Sequence, residues 1–265
     1  MVYLKTDDEI ELLRAANLLV ADTLAEIAKV IKPGVTTNQL NSLADTFIRD
    51  HHALPTFLGF PNPYGSDFPA SICTSVNNQV VHGIPNDRPL EEGDIVSVDC
   101  GTLLDGFNGD SCYTFAVGEV SDEVRQLMNV TKESLYKGIE QAVVGHRLGD
   151  IGNAVQTYCE GYGYGVVREF VGHGIGKEMH EDPQVPNYGR KGNGMLLKDG
   201  LCIAIEPMIT MGTREIYMQE DKWGIVTRDG KPAAHYEHTV AVRKGKADIL
   251  SSFEKIEDIL NNKSL

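Results

Sequence analysis

The sequence has few cysteines and no pair of them in a C-x-x-C arrangement. The five that it contains are scattered along the chain: Cys73, Cys100, Cys112, Cys159 and Cys202. Disulfide frameworks normally use an even number of cysteines, and structural zinc sites normally use C-x-x-C pairs. The sequence therefore argues against both, and we expect reduced thiols, as is usual inside cells.

Long apolar runs and an excess of basic residues are also missing. No stretch approaches the roughly 20 apolar residues of a membrane span, and the opening "MVYLKTDDEIELL" is acidic and lacks a signal-peptide core. The formal net charge is −14 at pH 7, whereas phosphate contacts need a basic face. We therefore predict a cytoplasmic protein that binds neither membranes nor nucleic acids directly.

Two helices are predicted near the start of the chain by paired capping signals. Thr6 with Glu9, and Thr36 with Gln39, have capping-box spacing, and apolar residues at helical intervals follow each pair. The first helix continues until "KPG" stops it, and the second ends near "DHH".

Helices and strands then alternate through the rest of the chain. "DIVSVD" at 94–99 and "DSCYTFAVG" at 110–118 predict two strands joined by the turn "LDGF". A third helix is predicted from about Ser121 to Val144, and a shorter fourth from near Asp150. The remainder is predicted to be strands and loops, which gives an α+β fold.

Short segment matches indicate that this order is an internal duplication. "VVHGIP" at 80–85 matches "VGHGIG" at 171–176, and "LEEGDIVSVD" at 90–99 matches "LKDGLCIAIE" at 197–206. The helix-to-helix corner recurs too, as "KPGVTTNQL" and "VVGHRLGDI". Three matches in the same order are typical of a repeat.

The repeat has a consequence for the domain organisation and for two acids. We predict one domain over residues 1–265, with a pseudo-twofold repeat of roughly 1–120 and 121–250. Halves packed face to face would bring Asp99 and Glu206, the paired acids of the two strands, to a central seam.

Each half is predicted to place two acids side by side. The turn "LDGF" pairs Gly101 with Asp110, and Asp99 shares a strand face with Gly101, so that Asp99 and Asp110 lie diagonally opposite each other. In the second half Glu206 ends one apolar strand and Glu237 begins another. If the halves are equivalent, Glu206 and Glu237 form the corresponding pair.

Four converging carboxylates predict a metal site. Buried ionised acids repel one another unless cations lie among them, and two divalent ions would neutralise all four charges. With the imidazole of His173, the donor set suits Mn²⁺, Fe²⁺, Co²⁺ or Zn²⁺. Paired divalent ions activate water for attack on carbonyl or phosphoryl groups, so the residues point to metal-assisted hydrolysis.

The motifs around these five residues resemble those of one family over nearly the whole chain. Asp99 in "SVDCG", Asp110 in "NGDSC", His173 in "VGHGIG", Glu206 in "AIEPM" and Glu237 in "YEHTV" are similar to the five metal ligands of methionine aminopeptidases, in the family's order. The resemblance, to the compact type I form, implies a "pita-bread" fold: a central antiparallel sheet with helices outside. It also implies removal of the initiator methionine from polypeptides whose second residue is small.

The resemblance also implies catalytic roles for three residues. Glu206 would both bind metal and pass a proton from water to the leaving amine, and His180 would donate a hydrogen bond to the developing oxyanion. His82, the duplicate of His173, would contact the substrate near the scissile bond. The implied partners are the N-termini of nascent polypeptides, at the ribosome, and the expected state is a monomer.

The methionine pocket is implied by matches to several further positions. Phe57, Cys73 and Trp223 match pocket positions of the family. Phe60 and Phe68 stand where the family often has tyrosines, and Met179 stands at a position that is usually aromatic. The segment "PNPYGSD" at 61–67 resembles an insertion, which leaves open whether Phe60, Tyr64 or Phe68 lines the pocket. We expect the remaining histidines to be structural or exposed: His51, His52, His146, His235 and His238.

Two other functions are compatible with parts of this pattern. A proline-directed aminopeptidase of the same fold would use similar ligands, although such enzymes usually carry a separate N-terminal domain that is not evident here. A non-catalytic binding protein of this fold would not need all five ligands, and their complete presence argues against it. Any one strand-terminal acid is more often a solvated end or a cap than a ligand, so the prediction depends on the whole set.

Overall fold

The helices lie within residues 2–263, which the computed structural model describes. They are α1 (Asp7–Val30), α2 (Thr37–Asp50), α3 (Asp122–Ile139), α4 (Leu148–Gly161) and α5 (Glu254–Lys263). Both capping boxes are confirmed. The Glu9 N–H donates to the Thr6 hydroxyl at 3.3 Å, and the Thr6 N–H donates to the Glu9 carboxylate at 3.0 Å. Thr36 and Gln39 make the same reciprocal bonds. These bonds satisfy backbone donors at the first turn, so each helix begins where the sequence predicts.

The helix predictions in the second half need correction. The third helix ends at Ile139 rather than near Val144, because the following residues turn toward the end of the chain: the Val144 N–H donates to the Arg243 carbonyl at 3.0 Å. The fourth begins at Leu148, before the expected Asp150. The prediction that only strands and loops follow is wrong, since α5 buries Ile256 and packs against α1.

The strands range from two to ten residues, and those described pair with one another in antiparallel fashion. In chain order they are β1 (Leu54–Pro55), β2 (Ile72–Val76), β3 (Gln79–Val81), β4 (Ile95–Leu104), β5 (Phe107–Ala116), β6 (Gly165–Val166), β7 (Gly172–Gly174), β8 (Glu181–Val185), β9 (Cys202–Ile205), β10 (Met208–Thr210), β11 (Ile216–Met218), β12 (Ile225–Thr227), β13 (Ala233–His235), β14 (His238–Ala241) and β15 (Asp248–Ile249). The largest sheets are β15-β14-β9-β7-β8 and the group in which β4 pairs with β1, β2 and β5. This mixture of helices and antiparallel sheets confirms the α+β class.

The β4–β5 hairpin has the predicted register. Gly101 pairs with Asp110 around a two-residue turn at Asp105 and Gly106, whose φ angles are 49° and 81°. Positive φ at both positions is the conformation of the tight turn that matches strand twist. Because side chains alternate, Asp99 and Asp110 lie on one face.

The two halves meet where β5 lies beside the start of β14. The Glu237 N–H donates to the Cys112 carbonyl at 2.9 Å, and the Ser111 hydroxyl donates to the Glu237 carbonyl at 2.6 Å. The Thr239 hydroxyl donates to the Asp110 carbonyl at 2.9 Å. These bonds form a seam that places an acid of the first half beside an acid of the second.

The duplicated corners have the same local structure. Gly34 and Gly145 have φ angles of 90° and 95°, a conformation that favours glycine. The Gly34 N–H donates to the Leu90 carbonyl at 2.8 Å, and the Gly145 N–H donates to the Leu197 carbonyl at 3.3 Å. Equivalent residues therefore make equivalent bonds in the two halves, as the sequence repeat predicts.

The helices cover the sheets, and one buried cluster contains side chains from both halves. The approach of α1 to β5 is especially close. A Cβ on Gly109 would lie 2.5 Å from the Ala16 carbonyl carbon, so that only glycine allows the contact. In the part of the chain that the structure describes, no helix has the length and apolarity to cross a membrane.

Candidate active site

The predicted site residues converge on one cavity of about 190 Å³. All of them except Met179 line it: Phe57, Phe60, Phe68, Cys73, His82, Asp99, Asp110, His173, His180, Glu206, Trp223 and Glu237. Five further residues complete the wall: Val81, Phe170, Val171, Met208 and His235. One end is therefore acidic and the other is apolar.

The four acids reach the cavity from neighbouring strands. Asp99 and Asp110 lie on β4 and β5, whereas Glu206 directly follows β9 and Glu237 directly precedes β14. The β9–β14 register pairs Ile205 with His238, so Glu206 and Glu237 stand opposite each other where the two strands end. The predicted pairs are thus both present, one in each half.

His173 stands among these acids from the adjacent strand β7. Its Nε2 lies 3.5 Å from Asp110 Oδ2 and 3.7 Å from Glu206 Oε1. Ligand atoms of Asp110, His173 and Glu237 all lie within 4.8 Å of one another. This is the spacing of groups that can share a cation.

The tautomer of His173 follows from its other ring nitrogen. Nδ1 is 2.9 Å from the Gly174 carbonyl, which can only accept, so Nδ1 carries the proton and the Nε2 lone pair faces the acids. Burial lowers the pKa of His173, which favours this neutral form. A Cβ on Gly172 would collide with the Ala204 carbonyl oxygen, and one on Gly174 with the Asp182 carbonyl oxygen. Glycine at positions 172 and 174 therefore lets β7 approach its neighbouring strands closely, which places the His173 imidazole among the acids.

Burial and mutual repulsion disfavour the ionised form of these acids. Burial is the largest cause that raises the pKa of each, and for Asp99, Glu206 and Glu237 the neighbouring carboxylates raise it further. One oxygen each of Asp99, Asp110 and Glu237 is buried without a hydrogen-bond partner among the described residues. Unpaired buried anionic oxygens are unfavourable, and a bound cation would satisfy them.

Two other histidines border the acidic end. The His180 ring meets His173 edge-on with centroids 4.3 Å apart, and its other neighbour is Phe60 at 5.3 Å. His82 packs against Phe170 at 5.4 Å. Burial lowers the pKa of His82 to about 4 and also lowers that of His180. Both rings are therefore neutral at pH 7 and can donate hydrogen bonds.

Two of the three aromatic residues that the sequence left open line the apolar end of the cavity. Phe60 and Phe68 line it, whereas Tyr64 is 77% exposed. The 61–67 segment instead supports the wall from outside, because the Trp223 indole donates to the Ser66 carbonyl at 2.9 Å. The Trp223 ring in turn packs edge-on against Phe68 at 5.0 Å.

Met179 lies behind this wall. It is buried in a cluster against which Phe57 packs. Both side chains approach β4 so closely that a Cβ on Gly101 would be 2.9 Å from each. Met179 therefore supports Phe57 rather than lining the cavity.

His235 is a site residue that the sequence interpretation missed. Its Nε2 is buried without a hydrogen-bond partner in the described chain and lies 3.8 Å from Glu206 Oε2. Strand alternation could have identified it, since His235 and Glu237 are two residues apart. His238 is structural, as expected: it is buried, with Nδ1 2.6 Å from the Ser251 hydroxyl.

This arrangement is that of a hydrolase with a metal-dependent site, and comparison with known proteins defines the class. The chain belongs to metallopeptidase family M24, whose model matches residues 11–244. Within that family it is similar to methionine aminopeptidases. It is 54% identical to the methionine aminopeptidase of Clostridium acetobutylicum over 96% of this chain and 100% of the relative.

Solved structures agree on the fold. The methionine aminopeptidase of Rickettsia prowazekii matches with a TM-score of 0.91 and 44% identity, over 95% of this chain and 100% of that one. An Xaa-Pro dipeptidase from Bacillus anthracis shares the fold at a TM-score of 0.73, with 23% identity over 94% of this chain and 62% of that one. The predicted pita-bread fold and the resemblance to methionine aminopeptidases are both confirmed.

Proposed function

We propose that this chain hydrolyses the peptide bond after an N-terminal methionine, in polypeptides whose second residue is small. The observation that carries the proposal is the cavity itself, in which four acids and His173 adjoin an apolar pocket. Sequence identity supports methionine over proline specificity, because it is 54% to a methionine aminopeptidase and 23% to an Xaa-Pro dipeptidase.

The residues present fit two divalent ions. Asp99, Asp110, His173, Glu206 and Glu237 would hold them, and the charge of +4 would balance the four carboxylates, three of which have a buried oxygen without a hydrogen-bond partner among the described residues. Bound there, such ions would supply an activated water and polarise the scissile carbonyl. Carboxylate and imidazole donors accept Mn²⁺, Fe²⁺, Co²⁺ and Zn²⁺ alike, so metal supply would decide which ion is used.

The chain's own groups would orient the substrate and move the proton. The methionine side chain would enter the pocket of Phe57, Phe60, Phe68, Cys73 and Trp223, where burial contributes about 1.5–3 kcal/mol. Neutral His82 and His180 would donate hydrogen bonds beside the scissile bond, and His180 would stabilise the oxyanion. Glu206, between His173 and His235, would carry the proton to the leaving amine.

The test is a direct comparison of two peptides. With Mn²⁺ or Co²⁺ added, release of the first residue from Met-Ala-Ser should greatly exceed that from Ala-Pro-Gly, because the pocket accepts a long apolar side chain. Both rates are measured by mass spectrometry on the same enzyme preparation. Preference for the proline peptide would overturn the proposal in favour of the proline-directed alternative.

The organisation of the protein in the cell is proposed on the same basis. We expect residues 1–265 to act as a single catalytic domain, as a monomer in the cytoplasm, on nascent chains at the ribosome. Support comes from the family match over most of the chain and from the core cluster shared by both halves.

A further inference from the structure

His180 and Met179 belong to the loop of residues 175–180, which joins β7 to β8. The Asn108 N–H donates to the Gly176 carbonyl at 2.8 Å, and the Asn108 amide donates to the Lys177 carbonyl at 2.9 Å. These bonds tie the start of the loop to β5, two residues from Asp110. At the other end of the loop, directly after His180, Glu181 begins β8 and pairs with Gly174 of β7.

The His180 end is held by a buried ion pair. Lys5 pairs with Glu181, the residue directly after His180, and the two side chains are only 6% and 7% exposed. The Glu181 carboxylate also accepts the Glu178 N–H at 3.4 Å. One carboxylate thus joins the two sides of the loop to a lysine far away in the sequence.

The lysine itself comes from a well-anchored segment ahead of α1. The Lys5 N–H donates to the Gly200 carbonyl at 2.7 Å, and Leu4 and Val2 form bridges with Leu201 and Asp182. The fit around the ammonium group is tight, because a Cβ on Gly176 would lie 2.6 Å from Lys5 Cε. The position of Lys5 is therefore determined by the strands of the second half.

Burial makes this pair different from the surface ion pairs of the protein. Exposed pairs contribute little, whereas loss of one partner of a buried pair leaves an uncompensated charge, and the surrounding structure must move to solvate it. Glu181 directly follows His180, so a movement that solvates its carboxylate would also shift the loop that carries His180. A small displacement of a group that acts on the reacting atoms can reduce the rate strongly.

We infer that Lys5 is a positioning residue for His180: through Glu181 it holds the loop so that the imidazole faces the cavity. The inference rests on the proposed function, since it takes His180 to be the group that stabilises the oxyanion. It adds a residue outside the cavity, before the first helix, to those on which turnover depends.

The experiment compares Lys5→Met with a matched surface variant, Lys29→Met. Lys29 pairs with Glu26 on α1, and the two side chains are 53% and 30% exposed. We expect kcat on Met-Ala-Ser to fall about 100-fold in Lys5→Met, with KM changed less than about threefold, because geometry at the oxyanion is lost while the methionine pocket remains. Lys29→Met should match the unaltered protein.

A second readout does not depend on activity. Hydrogen exchange should accelerate at the amides of residues 178–181 in Lys5→Met and stay unchanged in Lys29→Met. Unchanged exchange together with unchanged kcat would overturn the inference. If Lys5→Met does not fold, Glu181→Gln is measured instead, because it removes the loop's side of the ion pair, and normal turnover by that folded protein would also overturn the inference.

Variants of His180 separate this inference from the proposed function. If Lys5 acts through His180, Lys5→Met should lower kcat little further in a His180→Ala background. A full additional loss would show that Lys5 acts elsewhere, and would overturn the inference. If His180→Ala alone keeps normal turnover, the proposed role of His180 fails instead, whatever Lys5 does.

Discussion

Individual residues in this protein take their chemistry from where they are buried. The Asp110 N–H donates to the Asn17 side-chain oxygen at 3.1 Å, which ties a predicted ligand to α1, and Asn17 is itself fully buried. Glu206 lies with one oxygen toward His173 and the other toward His235. A carboxylate held between two neutral imidazoles is well placed to accept a proton and pass it on.

The Glu206→Gln variant tests this proton-transfer role by replacing one carboxylate oxygen with an amide nitrogen. The amide keeps the size of the side chain but cannot accept and release a proton, so we expect kcat to fall about 100-fold or more while the fold is retained. Turnover is measured on Met-Ala-Ser, and the fold by circular dichroism. The control is Glu140→Gln, an exposed residue of the α3 C-terminus, which should behave as the unaltered protein. Retention of more than about a tenth of kcat would remove Glu206 from the proton path.

At the scale of elements, the contact of α1 with the β4–β5 hairpin positions the first pair of acids. The Thr102 hydroxyl donates to the Ala16 carbonyl at 3.0 Å, and Gly109 lies directly beneath the helix backbone. The helix therefore rests on the sheet through backbone as well as side chains, one residue from Asp110.

Gly109→Ala should disturb this contact severely. The added methyl group would meet backbone atoms, which cannot change rotamer, so we expect the free energy of unfolding to fall by about 2–3 kcal/mol. Urea denaturation measures the change. Gly161→Ala, at the end of α4 with open space around the new Cβ, is the matched control and should stay within about 1 kcal/mol of the unaltered protein. Equal stability of the two variants would show that α1 can move away from β5 freely.

On the scale of the whole molecule, the acids come from both halves and meet at their seam. Without metal, their raised pKa values mean that the folded protein holds these protons to a higher pH than the unfolded chain does. A raised folded pKa contributes stability that is complete below the ordinary carboxyl pKa of about 4 and is lost as the pH rises through the folded value.

After metal removal, the stability of the protein should therefore decrease as the pH rises. Above about pH 7 the buried histidines are neutral in both states, because the pKa of His82 is lowered to about 4 and those of His235 and His238 to about 3. Chelator-treated protein should lose thermal stability more steeply with rising pH than the metal-loaded protein does, and addition of Mn²⁺ should raise Tm and release protons. Scanning calorimetry and potentiometry measure these effects. A pH dependence unchanged by metal, or metal binding without proton release, would contradict the expected site.

Much of the molecule was predictable because its signals are local. The capping boxes and the β4–β5 register each depend on residues within a few positions of one another, and the structure agrees with both. The two errors have different causes. The third helix stops at Ile139, where a tertiary contact overrides the local pattern. In contrast, α5 was missed although Ile256, Ile259 and Leu260 have helical spacing and the Glu254 N–H donates to the Ser252 hydroxyl at its start.

The sequence by itself determined the α+β class, the duplication and the identity of four acids and one histidine that belong together. The class, the duplication and the acid pairs follow from capping, alternation and repetition, which act along the chain, and the family resemblance added His173 to them. Only the tertiary structure decided that Met179 supports the pocket from behind, that His235 faces Glu206, and that Lys5 pairs with Glu181 next to His180. Such relations join residues that are distant along the chain, and no local propensity encodes them. They arise when the packing of the core brings separate segments together.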